Sequence, residues 1–309
     1  MVFAVIFDLD GTLADTMDDL GTAMNNMLKK LGYDTRTKGE LIRFINKGAR
    51  NFVRQSLPEE LQDIDLVVDS ALATYEDEYS KCYANDTYPF DGIPEALGGL
   101  KERKIRLGVL SNKQDKFVRA LTEKLFGKKL FKCTLGNRDD LPKKPNPEGA
   151  LLVAKALGAK PENCIFVGDS DVDVKTAHNA GMLSIAVTWG YRTEQVLREA
   201  GADYVVSDTE GLIRVIDKVL DEKDPKRKKT KIQIKMKTDL SKYENKLPNK
   251  DPQPEAPQAE EPKPEEPKAE EPKAEEPKVE EPKQEKLESP LKKHKSTVTP
   301  IVAKRNKKK

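Results

Sequence analysis

Cysteine, histidine and long apolar runs are all scarce in this 309-residue chain. The three cysteines, Cys82, Cys133 and Cys164, have neither paired nor metal-ligand spacing, which excludes a disulfide framework or a zinc site and suits a reducing compartment. No apolar stretch approaches the roughly 18–20 residues needed to span a bilayer. Met1 leads directly into an apolar run, with no basic segment, apolar helix or cleavage site before it. A soluble, cytoplasmic protein without a transmembrane segment is the expectation.

What is present divides sharply. Residues 1–220 carry 30 Lys/Arg and 34 Asp/Glu, a net charge of −4, whereas residues 221–309 carry 25 basic and 19 acidic groups, a net charge of +6. The overall +2 therefore hides an acidic body and a basic tail. Within the tail, Lys223–Lys237 holds eight basic residues and one acidic, and Leu291–Lys309 holds eight Lys/Arg and no acid. Between them a pentad, EEPKx, repeats five times from Glu260 to Gln284. So little apolar surface cannot offset the entropy of ordering, so residues 221–309 are expected to be disordered, with the pentads a stiff spacer. Such a tail is a solubilising appendage or a non-specific polyanion contact, and it lacks the interleaved aromatics that would stack on bases.

The body alternates short apolar runs with helical patterns. Runs at Val2–Phe7, Ile105–Leu110, Phe131–Leu135, Cys164–Val167, Leu183–Val187 and Tyr204–Val206 are continuous rather than alternating. Strands of that kind, separated by helices, predict a Rossmann-like, doubly wound parallel α/β sheet covered on both faces, with ligands at the carboxyl ends of its strands. Residues 15–87 break the rhythm with several helices and no strand, which reads as a helical cap inserted into a core made of 1–14 and 88–220.

Three of the predicted strand ends carry polar clusters. Asp8 and Asp10 flank Leu9 at the end of the first run, Ser111-Asn112 follow the second, and Gly168–Asp173 (GDSDVD) follow the fourth. Two carboxylates two residues apart at a strand end suggest a metal site, an acid/base pair, both, or simply a turn. A fourth cluster, Lys143–Pro147 (KKPNP), adds cations. An acidic crevice becomes a good phosphoryl site once Mg²⁺ inverts its local sign. In that reading Asp8 is a carboxylate nucleophile, and Asp10 protonates the leaving oxygen and later takes a proton from water. Ser111 and Lys144, with Asn112 beside them, hold the phosphoryl oxygens. Asp169 completes a metal shell of Asp8, Asp10 and Asp169, with Asp173 orienting it from behind and Thr12 supporting the turn. Neither histidine, His178 or His294, falls in these clusters, which disfavours histidine-based phosphoryl transfer.

The order DxDGT, Ser, Lys, GDSxxD resembles the haloacid dehalogenase superfamily over about residues 1–218. Within it, "YPFDGIPEAL", "SNK", "KPNPEGALLVAKALG" and "TWGYR" look like the phosphoglycolate phosphatase group. The resemblance implies a Rossmann-like core, a helical cap, Mg²⁺, metal ligation by the main-chain carbonyl of Asp10, and Lys144 rather than Lys143 as the phosphoryl lysine. Dehalogenating members lack the second aspartate, so Asp10 argues for hydrolysis of a small phosphomonoester, phosphoglycolate first, or for mutase-like transfer. A sugar phosphate, a nucleotide or pyrophosphate also fits the core, and an inactive binding protein of the same fold is the rival of another class. In the cap, Gly48 and Arg50 are candidates to read a substrate carboxylate. Asp15, Asp18 and Asp19 are expected to be helix-start carboxylates, and Trp189 and Tyr191 packing residues.

Overall fold

The computed structural model describes residues 2–224, and the repeats and both basic clusters of the tail lie almost wholly outside them. The chain runs β1 (Ala4–Phe7), β2 (Ala14–Asp15), then helices α1 (Met17–Lys30), α2 (Lys38–Phe44), α3 (Ala49–Ser56) and α4 (Asp65–Cys82). It continues through β3 (Tyr88–Pro89), α5 (Ile93–Glu102), β4 (Arg106–Gln114), α6 (Asp115–Phe126), β5 (Cys133–Asn137) and α7 (Glu148–Leu157). It ends with β6 (Cys164–Gly168), α8 (Asp171–Asn179), β7 (Leu183–Val187), α9 (Glu194–Glu199), β8 (Tyr204–Val206) and α10 (Thr209–Lys223).

Six strands form one parallel sheet in the order β5-β4-β1-β6-β7-β8. Successive residues of β1 serve opposite layers. Val5 and Phe7 pack with Leu107, Val109, Ile165 and Val167 under α5, α6 and α10, while Ala4 and Ile6 pack with Leu110 and Phe166 under α7 and α8. Every residue of β1 is buried, which is why the strand reads as a continuous apolar run. Full burial of a side chain such as Phe7 or Phe166 contributes about 1.5–3 kcal/mol. The chain moves outward from β1 in one direction through β4 and β5, and in the other from β6 through β7 and β8. The switch at β1 opens a crevice at the carboxyl ends of β1, β4 and β6, the three strands that carry the polar motifs.

The helices α1–α4 enclose a separate apolar cluster built on Met24, Met27, Leu28, Val53, Val68 and Tyr75. In α1, Leu20, Met24, Met27 and Leu28 recur at helical spacing, Asp18 and Asp19 sit in its first turn, and Lys29 and Lys30 in its last. Entry to and exit from this layer pair as antiparallel β2 and β3, two-residue strands too short to register as apolar runs. Asp19 departs from its expected role. It is buried and accepts from the Asp86 main-chain N–H and the Thr87 hydroxyl, so it ties α1 to the returning chain instead of facing water.

Candidate active site

Asp8 leaves β1 as the first residue beyond the apolar run, and its main-chain N–H still donates to Val167 O of β6. Its carboxylate therefore stands where three strands end. Lys144 Nζ lies 3.0 Å from Asp8 Oδ1 and 2.6 Å from Asp173 Oδ1, with both sides of each pair almost fully buried. Asp173 is the third residue of α8. Its Oδ2 accepts from the Ser170 N–H and hydroxyl, completing a capping box that fixes the helix start against the site. Asn112 positions Lys144 from the neighbouring strand: its Oδ1 accepts from Lys144 N and its Nδ2 donates to Lys144 O. Ser111 lines the same crevice.

Asp169 follows β6 and is completely buried. Thr12 Oγ1 donates to its Oδ1 at 3.3 Å, and the Tyr191 N–H donates to its Oδ2 at 2.8 Å. Gly11 has φ +79°, and a Cβ there would meet Asp169 Oδ2 at 2.4 Å; a Cβ on Gly190 would meet Asp169 Cβ at 2.3 Å. The glycines thus let two loops close on one carboxylate. Asp10 has other partners: its Oδ1 accepts from Thr16 Oγ1 at 2.6 Å and from Lys113 Nζ at 2.9 Å, and it lines the same crevice as Asp8.

The electrostatics call for a cation. Carboxylate oxygens of Asp8, Asp169 and Asp173 lie within 4.8 Å of one another. Burial pushes the Asp8 carboxyl up to about 7 against the pull of Lys144, and burial with Asp173 and Asp8 nearby holds Asp169 well above the usual carboxylate range. Lys144 goes the other way: burial would favour its neutral form, but Asp173 and Asp8 outweigh burial and keep it charged. Asp8 Oδ1 is buried yet receives no hydrogen bond, its approach to Lys144 being a charge contact rather than a directed bond. One ammonium among three buried carboxylates with one oxygen unbonded is the donor set a small, hard divalent cation needs.

The family model for haloacid dehalogenase-like hydrolases matches residues 5–187. The chain belongs to this family. Phosphoglycolate phosphatase 1 of Pseudomonas aeruginosa is 32% identical over 218 residues, 69% of this chain and 79% of that protein. Phosphoglycolate phosphatase of Salmonella typhi is 31% identical over 227 residues, 68% of this chain and 90% of its own length. A solved structure from Lactobacillus delbrueckii subsp. bulgaricus superposes with a TM-score of 0.65 at 30% identity, covering 70% of this chain and 99% of its own.

In this haloacid dehalogenase-like hydrolase the core residues are brought together and one cap residue is not. Arg50 was expected to read a substrate carboxylate, but it does not line the crevice. Its guanidinium donates to Asp69 and Asp65 of α4, both at 2.7 Å, because those acids stand four apart on the helix face opposite α3. Gly48 does line the crevice, with Lys143 folded outside it against the Gly48 Cα.

The sequence pattern also hid several participants. Lys113, directly after the Ser111-Asn112 pair, holds Asp10. Tyr191 is more than packing, since its hydroxyl accepts from Thr16 N while its N–H holds Asp169. Arg192 donates to Ile42 O and Ile45 O, so the loop beyond β7 clamps the end of α2 next to Asn46. Trp189 donates to Thr12 O and supports the same turn. The Gly-Tyr-Arg sequence after a strand end was the available signal for this clamp.

Proposed function

We propose that the protein is a Mg²⁺-dependent phosphatase of a small phosphomonoester, 2-phosphoglycolate before others, acting through an aspartyl-phosphate. The observation that carries this reading is the Asp8 carboxylate, buried beside Lys144 with one oxygen unbonded, in the wall of the crevice. Asp8 attacks phosphorus, forming the Asp8 O–P bond as the bond to the leaving oxygen breaks. Asp10 gives its proton to that oxygen, then takes one from the water that attacks the acyl phosphate and returns Asp8 as a carboxylate. Lys144 and Ser111 hold the non-reacting oxygens, and Asn112 keeps Lys144 in place. The Asp8 and Asp169 carboxylates with the Asp10 main-chain carbonyl would hold Mg²⁺, with Asp173 and Thr12 supporting them. The bound ion supplies positive charge to the phosphoryl oxygens.

The family supports hydrolysis, and the relatives' names support the choice of substrate. Mg²⁺-dependent phosphate release from p-nitrophenyl phosphate tests the activity, and a panel of phosphorylated metabolites ranks substrates by kcat/KM. A hydroxylamine-sensitive phosphoryl label on Asp8 in acid-quenched turnover tests the intermediate. No release from any member of the panel would leave the inactive binding protein as the better reading. We propose further that the basic segments of residues 221–309 make non-specific contact with polyanions.

A further inference from the structure

Among the described residues, the buried side-chain polar atoms without a hydrogen-bond partner are Asp8 Oδ1, Asn46 Nδ2 and Tyr79 Oη. All three residues line the same crevice. Leaving a buried polar group unpaired costs about 1–3 kcal/mol, and Asp8 at least has the Lys144 ammonium 3.0 Å away, so the two unpaired donors on residues lining one crevice point to an absent acceptor. Asp8 belongs to the phosphoryl end. The other two belong to the cap and are unassigned by the chemistry above.

Both are donors held in place by their surroundings. The Tyr79 ring stacks on Tyr75 with centroids 5.8 Å apart and meets Phe117 edge-on at 4.8 Å, so its hydroxyl has little freedom. Burial, with the Asp10 charge adding to it, keeps that hydroxyl protonated. Asn46 sits at φ +88°, a conformation asparagine tolerates, in the turn whose preceding carbonyl at Ile45 is clamped by Arg192. Lys113 supplies the charge. Its Nζ lies 4.7 Å from the Tyr79 ring centroid, and among the described residues Lys113 and Lys144 are the cations lining the crevice. Lys144 is committed to Asp8 and Asp173, whereas the Lys113 ammonium has three hydrogens and Asp10 is its carboxylate partner. Glu76, the lining carboxylate of the cap, is turned aside to Gln114 Nε2. The rest of the lining on this side is largely apolar: Leu20, Ile45 and Phe52 of the cap and Phe117 of α6, with the Tyr75 ring stacked on Tyr79.

We propose that Tyr79 Oη, Asn46 Nδ2 and the Lys113 ammonium form a distal subsite that selects substrates ending in a carboxylate. A wall that offers two neutral donors and a cation in an apolar frame suits an acceptor-only anion, and it replaces Arg50 in that role. The inference rests on the phosphatase reading and adds which residues choose the substrate. Tyr79→Phe keeps the ring and removes the hydroxyl; Asn46→Gly keeps the positive φ and removes the amide.

The test is the ratio of kcat/KM for 2-phosphoglycolate to that for ethyl phosphate, which lacks the carboxylate, in Mg²⁺. The parent should prefer 2-phosphoglycolate, and each variant should lower the ratio by about tenfold or more, as loss of a hydrogen bond to a charged group requires. A variant whose ratio stays within twofold of the parent would remove that residue from the subsite, and both staying there would overturn the proposal. A parent that turns over both esters equally would also overturn it while leaving the phosphatase reading intact. A parent that hydrolyses neither ester nor p-nitrophenyl phosphate would instead refute that reading, and the subsite with it.

Discussion

The two walls of the crevice are built on opposite principles. On the core wall, charge is concentrated and cross-braced: Lys144 spans Asp8 and Asp173, while Thr12 and Tyr191 hold Asp169. On the cap wall, rings and aliphatic chains predominate, and the buried Asn46 Nδ2 and Tyr79 Oη have no hydrogen-bond partner. Preorganised charge suits a step in which charge moves, because it needs no rearrangement during the reaction. An apolar frame with a few donors suits choice between substrates, because a wrong ligand leaves those donors unpaired. Under the function proposed above, chemistry would fall to the core wall and selection to the cap wall, each backed by its own apolar cluster.

The division is sharpest at the nucleophile. Asp8→Asn keeps the shape and removes both the nucleophile and a metal ligand, so kcat should fall at least about a thousandfold on every ester. A variant within tenfold of the parent would exclude Asp8 as the attacking group. Lys144→Ala should cost about a hundredfold to a thousandfold in kcat, again on every substrate. It should also cost about 3–5 kcal/mol of stability, since three buried carboxylates would lose their cation. Lys143→Ala should do little, because Lys143 is exposed and lies outside the crevice. If Lys143→Ala proved the more damaging change, the lysine assignment would be wrong.

Much of the core wall was legible in sequence, and most of the cap wall was not. Asp8, Asp10 and Asp169 stand just beyond strand ends, Ser111 lies in the last part of β4 and Asp173 in the first turn of α8, and a parallel sheet delivers its strand ends to one crevice whatever the details of packing. Their chemistry was readable because topology alone assembles them. Tyr79 in α4 and Asn46 in the turn between α2 and α3 are 33 residues apart, and only tertiary packing, Tyr79 against Phe117 of α6 included, brings both to one crevice. No local pattern distinguishes a tyrosine whose hydroxyl lacks a partner from one buried in a helix face. Arg50 shows the converse. A helix-start arginine near a site suggests an anion, but Asp65 and Asp69, spaced four apart on α4, were a visible competing partner. Asp19 was hidden because its partners at residues 86 and 87 lie beyond all four cap helices.

The excess of carboxylates on the core wall gives a pH test that does not depend on turnover. Asp8 is raised from 3.8 to about 7, and Asp169 is raised as well. An acid whose folded-state pKa is raised contributes stability that is fully present below its unfolded value and is lost as pH rises through the folded value. Metal-free protein should therefore lose stability between about pH 4 and pH 8 on account of these groups. Mg²⁺ binds the charged form, so saturating Mg²⁺ should raise Tm clearly at pH 8, at about 2–3 kcal/mol for a hundredfold excess over Kd, and much less at pH 5. Asp169→Asn should raise the metal-free Tm at pH 8 and abolish most of the Mg²⁺ response. Equal Mg²⁺ shifts at both pH values would contradict this account of the site.

A smaller effect separates the cap's reading surface from its scaffold. Arg50→Ala breaks the contacts to Asp65 and Asp69, which are largely exposed and screened by solvent. Activity on 2-phosphoglycolate and on p-nitrophenyl phosphate should fall together, by less than about threefold. A selective loss on 2-phosphoglycolate of tenfold or more would restore Arg50 as a carboxylate reader and weaken the case for Tyr79 and Asn46.

The smallest effect on catalysis should come from the largest deletion. Every residue given a role in the site lies between Asp8 and Arg192, and the last buried side chains of α10, Val219 and Leu220, precede residue 221. Truncation after residue 224 keeps α10 whole and removes no described core, so kcat/KM should stay within about twofold of the full chain. A cut before Val219 should behave differently, because it strips buried residues from the layer that supports β1 and β4. Charge is where the two forms should part. The basic segments Lys223–Lys237 and Leu291–Lys309 each carry eight Lys/Arg, and the body through residue 220 is at −4. Full-length protein should bind duplex DNA or acidic vesicles weakly, with an affinity that falls steeply as salt rises, and truncated protein should not bind. A truncated enzyme more than tenfold impaired would mean that the tail reaches the site. A truncated enzyme that binds polyanions as well as the full chain would leave the basic segments as solubilising charge.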